Sequence, residues 1–335
     1  MKSEDLGRLN KTFDQFCQVT YKDVQGVICI DSGKQGPVLG ITAMTHGNEP
    51  SGLAIFNYLL GSKINLHENL LCGKVYLVVN DIEATKKYFE AERMSGSKNK
   101  ERAEKKEAIR KARYVDVNMN RLPALTMTKL EDRRYEVVRA RELSMIWKEF
   151  DVALDVHSTT GKSEPMIIVC GEHFDLSLVK GFPIRDVLTR IDEVQIGVPA
   201  LSFYGSKSTT TAFGIETGQH TDPKSFDRAK RCSVSLLQNL KMLKGTPRGA
   251  VVAYSEYEIQ SSLVFRDNHF DFVRDFDHKY LAYQGDVLAE NCVTGERVRA
   301  PFDCHLLMPS SSRGPSKDVS EEMAFLSKPV KEFQV

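Results

Sequence analysis

The sequence predicts an α/β protein, with a three-layer α/β/α domain built on a mixed sheet and a small β-rich C-terminal domain. Short apolar runs alternate with helical patterns through the first two-thirds of the chain, which is typical of strands interleaved with helices. After residue 249 the runs become short, partly alternating and separated by Gly, Asp and Pro. The length of 335 residues exceeds the usual size of one domain, so we expect two domains, at 1–246 and 247–335.

The predicted elements of the first domain follow each other closely along the chain. A strand at 37–44 precedes a helix that begins at Pro50 and ends near Gly61, because proline at the start and glycine at the end are typical of helices. The stretch at 86–113 carries charges of both signs, which predicts a solvated helix. The other predicted strands are 74–80, 152–156, 165–170 and 211–215, and the other predicted helices are 130–150 and 223–243.

Composition narrows the kinds of protein that this chain can be. The formal net charge of +1 gives no strong attraction to nucleic acid or to an acidic membrane surface. No apolar run is as long as a membrane span, and the N-terminus lacks an apolar signal-peptide core, so we expect a cytoplasmic protein. The seven cysteines are scattered without a Cys-x-x-Cys pair, which argues against a disulfide framework and a structural thiolate zinc site.

Two histidines and a glutamate are candidates for a metal site. His46 and Glu49 lie between a predicted strand and a predicted helix, and His157 lies at the end of another apolar run. Such strand ends meet at one edge of an open α/β sheet, so the three side chains can converge. Two histidines and one carboxylate are common ligands of catalytic zinc, which keeps one position open for water. The alternative is a core histidine satisfied by backbone, with Asp155 balancing charge.

Four further residues are candidates for catalysis or substrate binding. Glu216 follows an apolar strand, where a carboxylate must be paired or functional because burying it alone is costly. It is either a base that deprotonates water or the partner of a buried arginine. Arg113, Asn120 and Arg121 lie within nine residues, and guanidinium groups bind carboxylates through two hydrogen bonds. They are candidates for binding an acidic substrate, and surface ion pairs are the alternative.

Four motifs, in this order, resemble those of the succinylglutamate desuccinylase/aspartoacylase family, which belongs to the zinc carboxypeptidase-like hydrolases. The motifs are His46-Gly-Asn-Glu49, Asn120-Arg121, Asp155-Val-His157-Ser-Thr-Thr and Gly214-Ile-Glu216-Thr-Gly-Gln219. The resemblance covers residues 35 to 335, including a β-rich C-terminal domain with a Gly-Asp turn at 285–286. It implies a zinc-carboxypeptidase-like fold and one zinc ion per chain, held by His46, Glu49 and His157. It also implies that Glu216 is the catalytic base and acid.

The resemblance extends to the residues that contact substrate. It implies that Arg113 polarises the scissile carbonyl and that Asn120 and Arg121 bind a substrate carboxylate. Two family features are replaced. A substrate-binding arginine shortly before the glutamate gives way to Ser206-Lys207, and a tyrosine near the C-terminus is replaced within 310–313. These departures concern aspartoacylase specificity and leave the hydrolytic core unchanged.

The expected function is therefore that of a zinc-dependent amidohydrolase that removes the acyl group from an N-acyl amino acid, with acidic amino acids favoured. The expected partner is this small molecule, with neither nucleic acid nor a membrane, and relatives of this kind are often homodimers. Two alternatives stay open. A zinc carboxypeptidase would release a C-terminal residue from short peptides, and a catalytically silent scaffold would bind metal without turnover.

Overall fold

The structure, a computed structural model, describes residues 3–161, 163–170, 174–205, 209–247, 249, 253–264, 267, 269–309, 322–328 and 331–334. The α-helices in these residues are α1 (Ser3–Gln18), α2 (Ser51–Leu60), α3 (Leu66–Asn69), α4 (Ile82–Arg93), α5 (Asn99–Lys111), α6 (Tyr135–Trp147), α7 (Ile191–Val194) and α8 (Pro223–Asn239). Three short 3₁₀ helices lie at Met119–Arg121, Leu176–Val179 and Ala200–Phe203.

The strands fall into an N-terminal group and a C-terminal group. The first group is β1 (Thr20–Tyr21), β2 (Val24–Gln25), β3 (Val27–Asp31), β4 (Val38–Ala43), β5 (Lys74–Val79), β6 (Val152–Thr159), β7 (Met166–Val169), β8 (Asp186–Thr189) and β9 (Thr211–Gln219). The second group is β10 (Ala253–Val264), β11 (Phe270–Phe272), β12 (Tyr280–Ala282), β13 (Val287–Asn291), β14 (Arg297–Arg299), β15 (Cys304–Leu307), β16 (Glu322–Ser327) and β17 (Lys331–Gln334).

A mixed sheet forms the middle layer of the molecule. Its strand order is β12-β15-β16-β10-β8-β7-β9-β6-β4-β5-β3, and β17 also pairs with β10. Strands β5, β4, β6 and β9 are parallel neighbours. Strands β3 and β7 run antiparallel to β5 and β9. The predicted mixed sheet is therefore confirmed.

Helices cover both faces of this sheet. On one face Phe56 of α2 and Leu236 of α8 belong to a single buried cluster with Ile41 of β4. On the other face Trp147 of α6 packs in a second cluster with Tyr76 of β5. All five side chains are buried, and burial of large apolar side chains is the main stabilising contribution in such layers. The predicted α/β/α layering is confirmed.

Helix α2 fixes the loop that precedes it. It follows Pro50, and most of its residues are buried, with Leu53, Ile55 and Phe56 fully so. A helix that is apolar on almost every side must lie inside the protein. The loop from residue 44 to residue 50 is consequently held between a buried strand and a buried helix.

The C-terminal segment is β-rich, as predicted, and it is continuous with the main sheet. The first half of β10 pairs in parallel with β8, and its second half pairs with β16. Strands β11, β13 and β14 form a separate small sheet. The domain boundary near residue 247 stays a prediction. No helix in the described ranges is long and apolar enough to cross a membrane.

Some elements differ from the sequence prediction. The charged stretch at 86–113 forms parts of two helices, α4 and α5, which are separated at Met94–Lys98. Helix α5 has no buried residue, which agrees with a solvated helix. Helix α1 and edge strand β3 were not predicted from the sequence.

Candidate active site

Three metal-binding candidates meet at the carboxyl edge of the sheet. His46 and Glu49 lie in the loop between β4 and α2, and His157 lies on β6. Strands β4 and β6 are parallel neighbours, with Thr42 opposite Asp155, so their C-terminal ends lie side by side. This adjacency brings together residues that are 108 positions apart in the chain. The three side chains therefore lie together in the structure.

Glu49 lies between the two histidines. Its Oε1 atom is 2.8 Å from His46 Nδ1, and its Oε2 atom is 2.9 Å from His157 Nδ1. All three residues are buried, and their candidate ligand atoms lie within 4.8 Å of one another. Two imidazole nitrogens and a carboxylate oxygen at this separation form a donor set that suits a divalent cation such as zinc.

The outer ring nitrogens of both histidines are also held. His157 Nε2 is 2.9 Å from Asp155 Oδ2, and His46 Nε2 is 2.9 Å from Asn118 Oδ1. In the neutral ring with its proton on Nε2, this proton is donated to these oxygens, and Nδ1 keeps the lone pair that a bound cation would require. Metal-binding histidines are usually oriented in this way, so the donor set fits a cation. Sequence reasoning missed Asn118, and it treated Asp155 only as a balancing charge.

Asp155 is fixed in turn by two hydroxyl groups. Thr42 Oγ1 donates to its Oδ1 atom at 2.8 Å, and Thr45 Oγ1 donates to the same atom at 2.9 Å. Asp155 is fully buried, so these hydrogen bonds and His157 offset the cost of removing its charge from water. The orientation of His157 is therefore set by a fully hydrogen-bonded neighbour.

Electrostatics at the donor set favour an ionised Glu49. Burial alone would raise the pKa of Glu49, but His46 and His157 outweigh burial and hold this pKa well below its ordinary value. Burial and the nearby charge of Arg113 lower the pKa of His46, which favours the neutral imidazole that a metal requires. Burial opposes charge on His157 too, yet Asp155 and Glu49 raise its pKa well above the ordinary value.

Glu216 lies beside this donor set. Strand β9 is longer than predicted and runs to Gln219, so Glu216 is inside the strand and is the register partner of His157 on β6. Its Oε2 atom is buried and accepts no hydrogen bond from the described residues. Burial, and next the charge of Glu49, raise the pKa of Glu216 to about 8. A carboxyl group with a pKa near neutrality is suited to take up and give back a proton.

Two of the three predicted substrate contacts reach the donor set. Arg113 Nη1 donates to Glu49 Oε1 at 2.9 Å. Asn120 Nδ2 is 3.4 Å from His157 Nε2, and Asn120 Oδ1 accepts a hydrogen bond from Ala200 N at 3.2 Å. Both side chains therefore lie beside the three metal-binding candidates.

Arg121 has a different environment. Its Nε atom donates to Glu322 Oε2 at 2.9 Å, and its Nη2 atom donates to the same oxygen at 2.5 Å. Glu322 begins β16, which is 201 residues further along the chain. No local pattern in the sequence relates these two residues.

Glu136 positions the segment that carries Arg113 and Asn120. Its carboxylate is fully buried and accepts hydrogen bonds from the backbone N–H groups of Val115, Asp116 and Val117. Three donors from one loop satisfy a carboxylate that would otherwise be costly to bury. Sequence reasoning missed Glu136, because in the chain it is simply an acidic residue in a helix.

The loop that carries His46 is packed against the same segment. A side chain at Gly47 would lie 2.3 Å from the backbone of Ala84 and 2.4 Å from Ala112 O, so only glycine fits. Gly47 N also donates to Arg113 O at 2.9 Å. This close approach brings Arg113 next to Glu49.

His220 is an additional polar group near the site. Its Nδ1 atom is 2.8 Å from Ser158 Oγ, next to His157 in the chain. Burial lowers the pKa of His220 to about 4, so this imidazole is neutral at physiological pH. His220 contacts a neighbour of the donor set, and it does not belong to the cluster of candidate ligands. The positions of the two replaced family residues, 206–207 and 310–313, lie outside the described residues.

The fold and this site define the class of the protein as an α/β/α protein with a candidate metal centre. The family model named "Succinylglutamate desuccinylase/Aspartoacylase catalytic domain" matches residues 35–240, which is more than half of the chain. The chain belongs to this family of hydrolytic deacylases, as its motifs predicted. A sequence search of curated proteins gives no match.

Solved structures show the same fold. Succinylglutamate desuccinylase from Vibrio cholerae is 14% identical, has a TM-score of 0.64, and the match covers 96% of this chain and 94% of that chain. The enzyme of the same name from Chromobacterium violaceum is 16% identical, with a TM-score of 0.61 and 98% of each chain covered. Murine aminoacylase 3 is 19% identical, with a TM-score of 0.60 and coverage of 90% and 98%. At these identities the likeness shows the shared fold.

Proposed function

We propose that this chain is a zinc-dependent deacylase that hydrolyses the amide bond of an N-acyl amino acid. The observation that carries the proposal is the position of Glu216, the register partner of His157, beside the His46–Glu49–His157 donor set. A metal-binding donor set and a carboxyl group with a raised pKa are the two components that such a hydrolysis needs. Membership of a family of deacylases supports the same reaction.

The three donors would hold the ion, with both histidines using Nδ1. A bound zinc ion supplies Lewis acidity, which polarises the scissile carbonyl and lowers the pKa of the attacking water. Asp155 and Asn118 keep the two imidazoles in the required orientation.

Glu216 is the proton carrier in this proposal. Its carboxylate takes a proton from the attacking water as the new carbon–oxygen bond forms. The same proton then passes to the amide nitrogen as the carbon–nitrogen bond breaks, so that the amino acid leaves as an amine. One residue can perform both transfers because its pKa lies near neutrality.

Arg113 and Asn120 orient the substrate in this proposal. The Arg113 guanidinium lies next to Glu49, where it stabilises the negative charge that develops on the carbonyl oxygen. Asn120 contacts His157, where its amide N–H is available to a polar group of the substrate. Asn120 and Arg121 would bind a carboxylate of an acidic amino acid, and for this Arg121 must break its hydrogen bonds to Glu322.

A screen of substrates tests the function and separates its rivals. Purified protein loaded with zinc is incubated with N-acetyl-aspartate, N-succinyl-glutamate, neutral N-acyl amino acids and dipeptides. The deacylase proposal expects release of an acyl acid that stops with a chelator and that Glu216→Gln abolishes. Release of a C-terminal residue from dipeptides alone identifies a carboxypeptidase. Zinc binding without turnover of any compound supports the scaffold alternative.

A further inference from the structure

The guanidinium group of Arg121 already binds a carboxylate of the protein. Both its Nε and Nη2 atoms donate to Glu322 Oε2, at 2.9 and 2.5 Å. This is the type of contact that a substrate carboxylate would make with an arginine. Arg121 is the residue predicted to bind an acidic substrate. The Glu322 carboxylate therefore competes with the substrate carboxylate for this guanidinium group.

The remaining N–H groups of Arg121 are also largely used. Its Nη1 atom donates to Asn120 O at 2.8 Å and to Gln195 Oε1 at 3.2 Å. A guanidinium group has five N–H donors. The four contacts to Glu322, Asn120 and Gln195 occupy most of them. A substrate carboxylate can consequently form two hydrogen bonds with Arg121 only if the hydrogen bonds from Arg121 to Glu322 break.

The Glu322 carboxylate is buried and accepts a further hydrogen bond from the backbone. Its side chain is 1% exposed, whereas that of Arg121 is 18% exposed. Its Oε1 atom accepts a hydrogen bond from Ile196 N at 2.6 Å. Leaving a buried carboxylate without its cation is unfavourable, so Glu322 is not displaced freely.

The segment that presents Gln195 and Ile196 is packed directly on Arg121. Gly197 has a φ of +75°, and a side chain there would lie 2.7 Å from the Arg121 backbone. Leu122 and Val198 form an antiparallel bridge next to it. The surroundings of the ion pair are therefore built by three separate parts of the chain, and they do not depend on one flexible side chain.

We propose that Glu322 is a specificity-determining residue, whose carboxylate competes with a substrate carboxylate for Arg121 and so weakens the selection of acidic substrates. This inference rests on the proposed function. The site then accepts N-acyl amino acids with a neutral side chain more readily than Arg121 alone would allow. The charge balance explains the effect, because Arg121 and Glu322 together present no net charge to the substrate.

The substitution Glu322→Gln tests this inference. Glutamine keeps the shape and can still accept the hydrogen bond from Ile196 N, but it removes the negative charge. Binding of N-acetylglutamate and of N-acetylglutamine, which keeps the α-carboxylate but has a neutral side chain, is measured by calorimetry on zinc-loaded protein. We expect the affinity for N-acetylglutamate to rise at least about tenfold, and the affinity for N-acetylglutamine to stay within about twofold. An affinity for N-acetylglutamate that is unchanged or lower overturns the inference.

Two control variants identify the cause of a gain in affinity for N-acetylglutamate. Glu290→Gln removes an exposed ion pair with Arg297 in the same C-terminal region, and it should change neither affinity. The double variant Arg121→Gln/Glu322→Gln should lose the gain, because the freed guanidinium is gone. A gain that survives in the double variant contradicts competition for Arg121. Thermal unfolding of each variant reports whether it is folded.

Hydrolysis of N-acyl amino acids by the wild type is measured separately. If no N-acyl amino acid is hydrolysed but the affinity gain appears, the proposed function fails and the role of Glu322 stands. If hydrolysis occurs and the gain is absent, the deacylase proposal stands and the role of Glu322 fails.

Discussion

Asp155 Oδ2 lies 2.9 Å from Nε2 of His157, on the side of the ring opposite Glu49. This relationship connects the fold to the site, because Asp155 points from β6 into the hydroxyl groups of Thr42 and Thr45. The parallel pairing of β4 with β6 therefore sets the orientation of a candidate metal ligand.

The substitution Asp155→Asn tests the importance of this orientation. Asparagine has the same shape but lacks the charge that holds the His157 ring, so we expect zinc affinity to fall by about 10- to 100-fold. Competition with a chromogenic chelator measures the affinity. Asp31→Asn, which removes an exposed ion pair with Lys74, is the matched control. Equal zinc affinity in Asp155→Asn and the control would show that Asp155 does not support the site.

The substitution Glu216→Gln separates metal binding from proton transfer. Glutamine cannot carry a proton between water and amine, so kcat should fall by about 10²- to 10⁴-fold. Zinc content should stay near that of the wild type, because Glu216 is not among the three candidate ligands. Metal analysis and steady-state kinetics on the same preparation check both statements. A near-normal kcat would remove Glu216 from the mechanism.

The raised pKa of Glu216 predicts a pH dependence of stability in the metal-free protein. The pKa is 4.5 for the ordinary group and about 8 in the folded chain. Between these values the folded state binds more protons, so the contribution of Glu216 to the free energy of unfolding falls as pH rises from 4.5 to 8. Glu216→Gln lacks this contribution. The difference in unfolding free energy, wild type minus variant, should therefore fall by more than about 1 kcal/mol across this window.

Urea unfolding of both chelator-treated proteins, at several pH values, measures that difference. Other titrating groups are common to both proteins and cancel to first order. A difference that does not change with pH would mean that Glu216 has an ordinary pKa in the folded protein.

The substitution Arg113→Lys tests stabilisation of the carbonyl oxygen. Lysine retains the positive charge but lacks the planar group that contacts Glu49. We expect kcat to fall by about 10²- to 10³-fold with a smaller change in KM, because the lost interaction acts on charge that develops in the transition state. Steady-state kinetics on the preferred substrate provide both constants. A change confined to KM would instead indicate a role in ground-state binding.

The sequence was sufficient for the parts of the site that follow directly from strand order. His46, Glu49 and His157 could be predicted to meet because each lies at or near the end of an apolar run. Glu216 could be predicted for the same reason, although its strand runs four residues beyond the predicted end. Periodicity also predicted the buried helix α2 and the three-layer arrangement.

Residues that act through distant contacts could not be predicted. Glu322 is 201 residues from Arg121, and no local pattern relates the two. Asn118 and Glu136 carry ordinary polar side chains whose roles depend on how one loop folds back on the site. The extension of the main sheet into the C-terminal segment was also missed. The parallel pairing of β8 with β10 produces no recognisable pattern in the sequence of either strand.

Metal content is the most direct test of the central claim that His46, Glu49 and His157 hold one catalytic ion. Wild-type protein and His157→Ala are loaded with zinc, dialysed, and analysed by mass spectrometry of the metal. We predict about one zinc per wild-type chain and almost none in the variant, because two remaining donors bind too weakly. Full zinc occupancy in His157→Ala would contradict the account and show that other residues hold the ion.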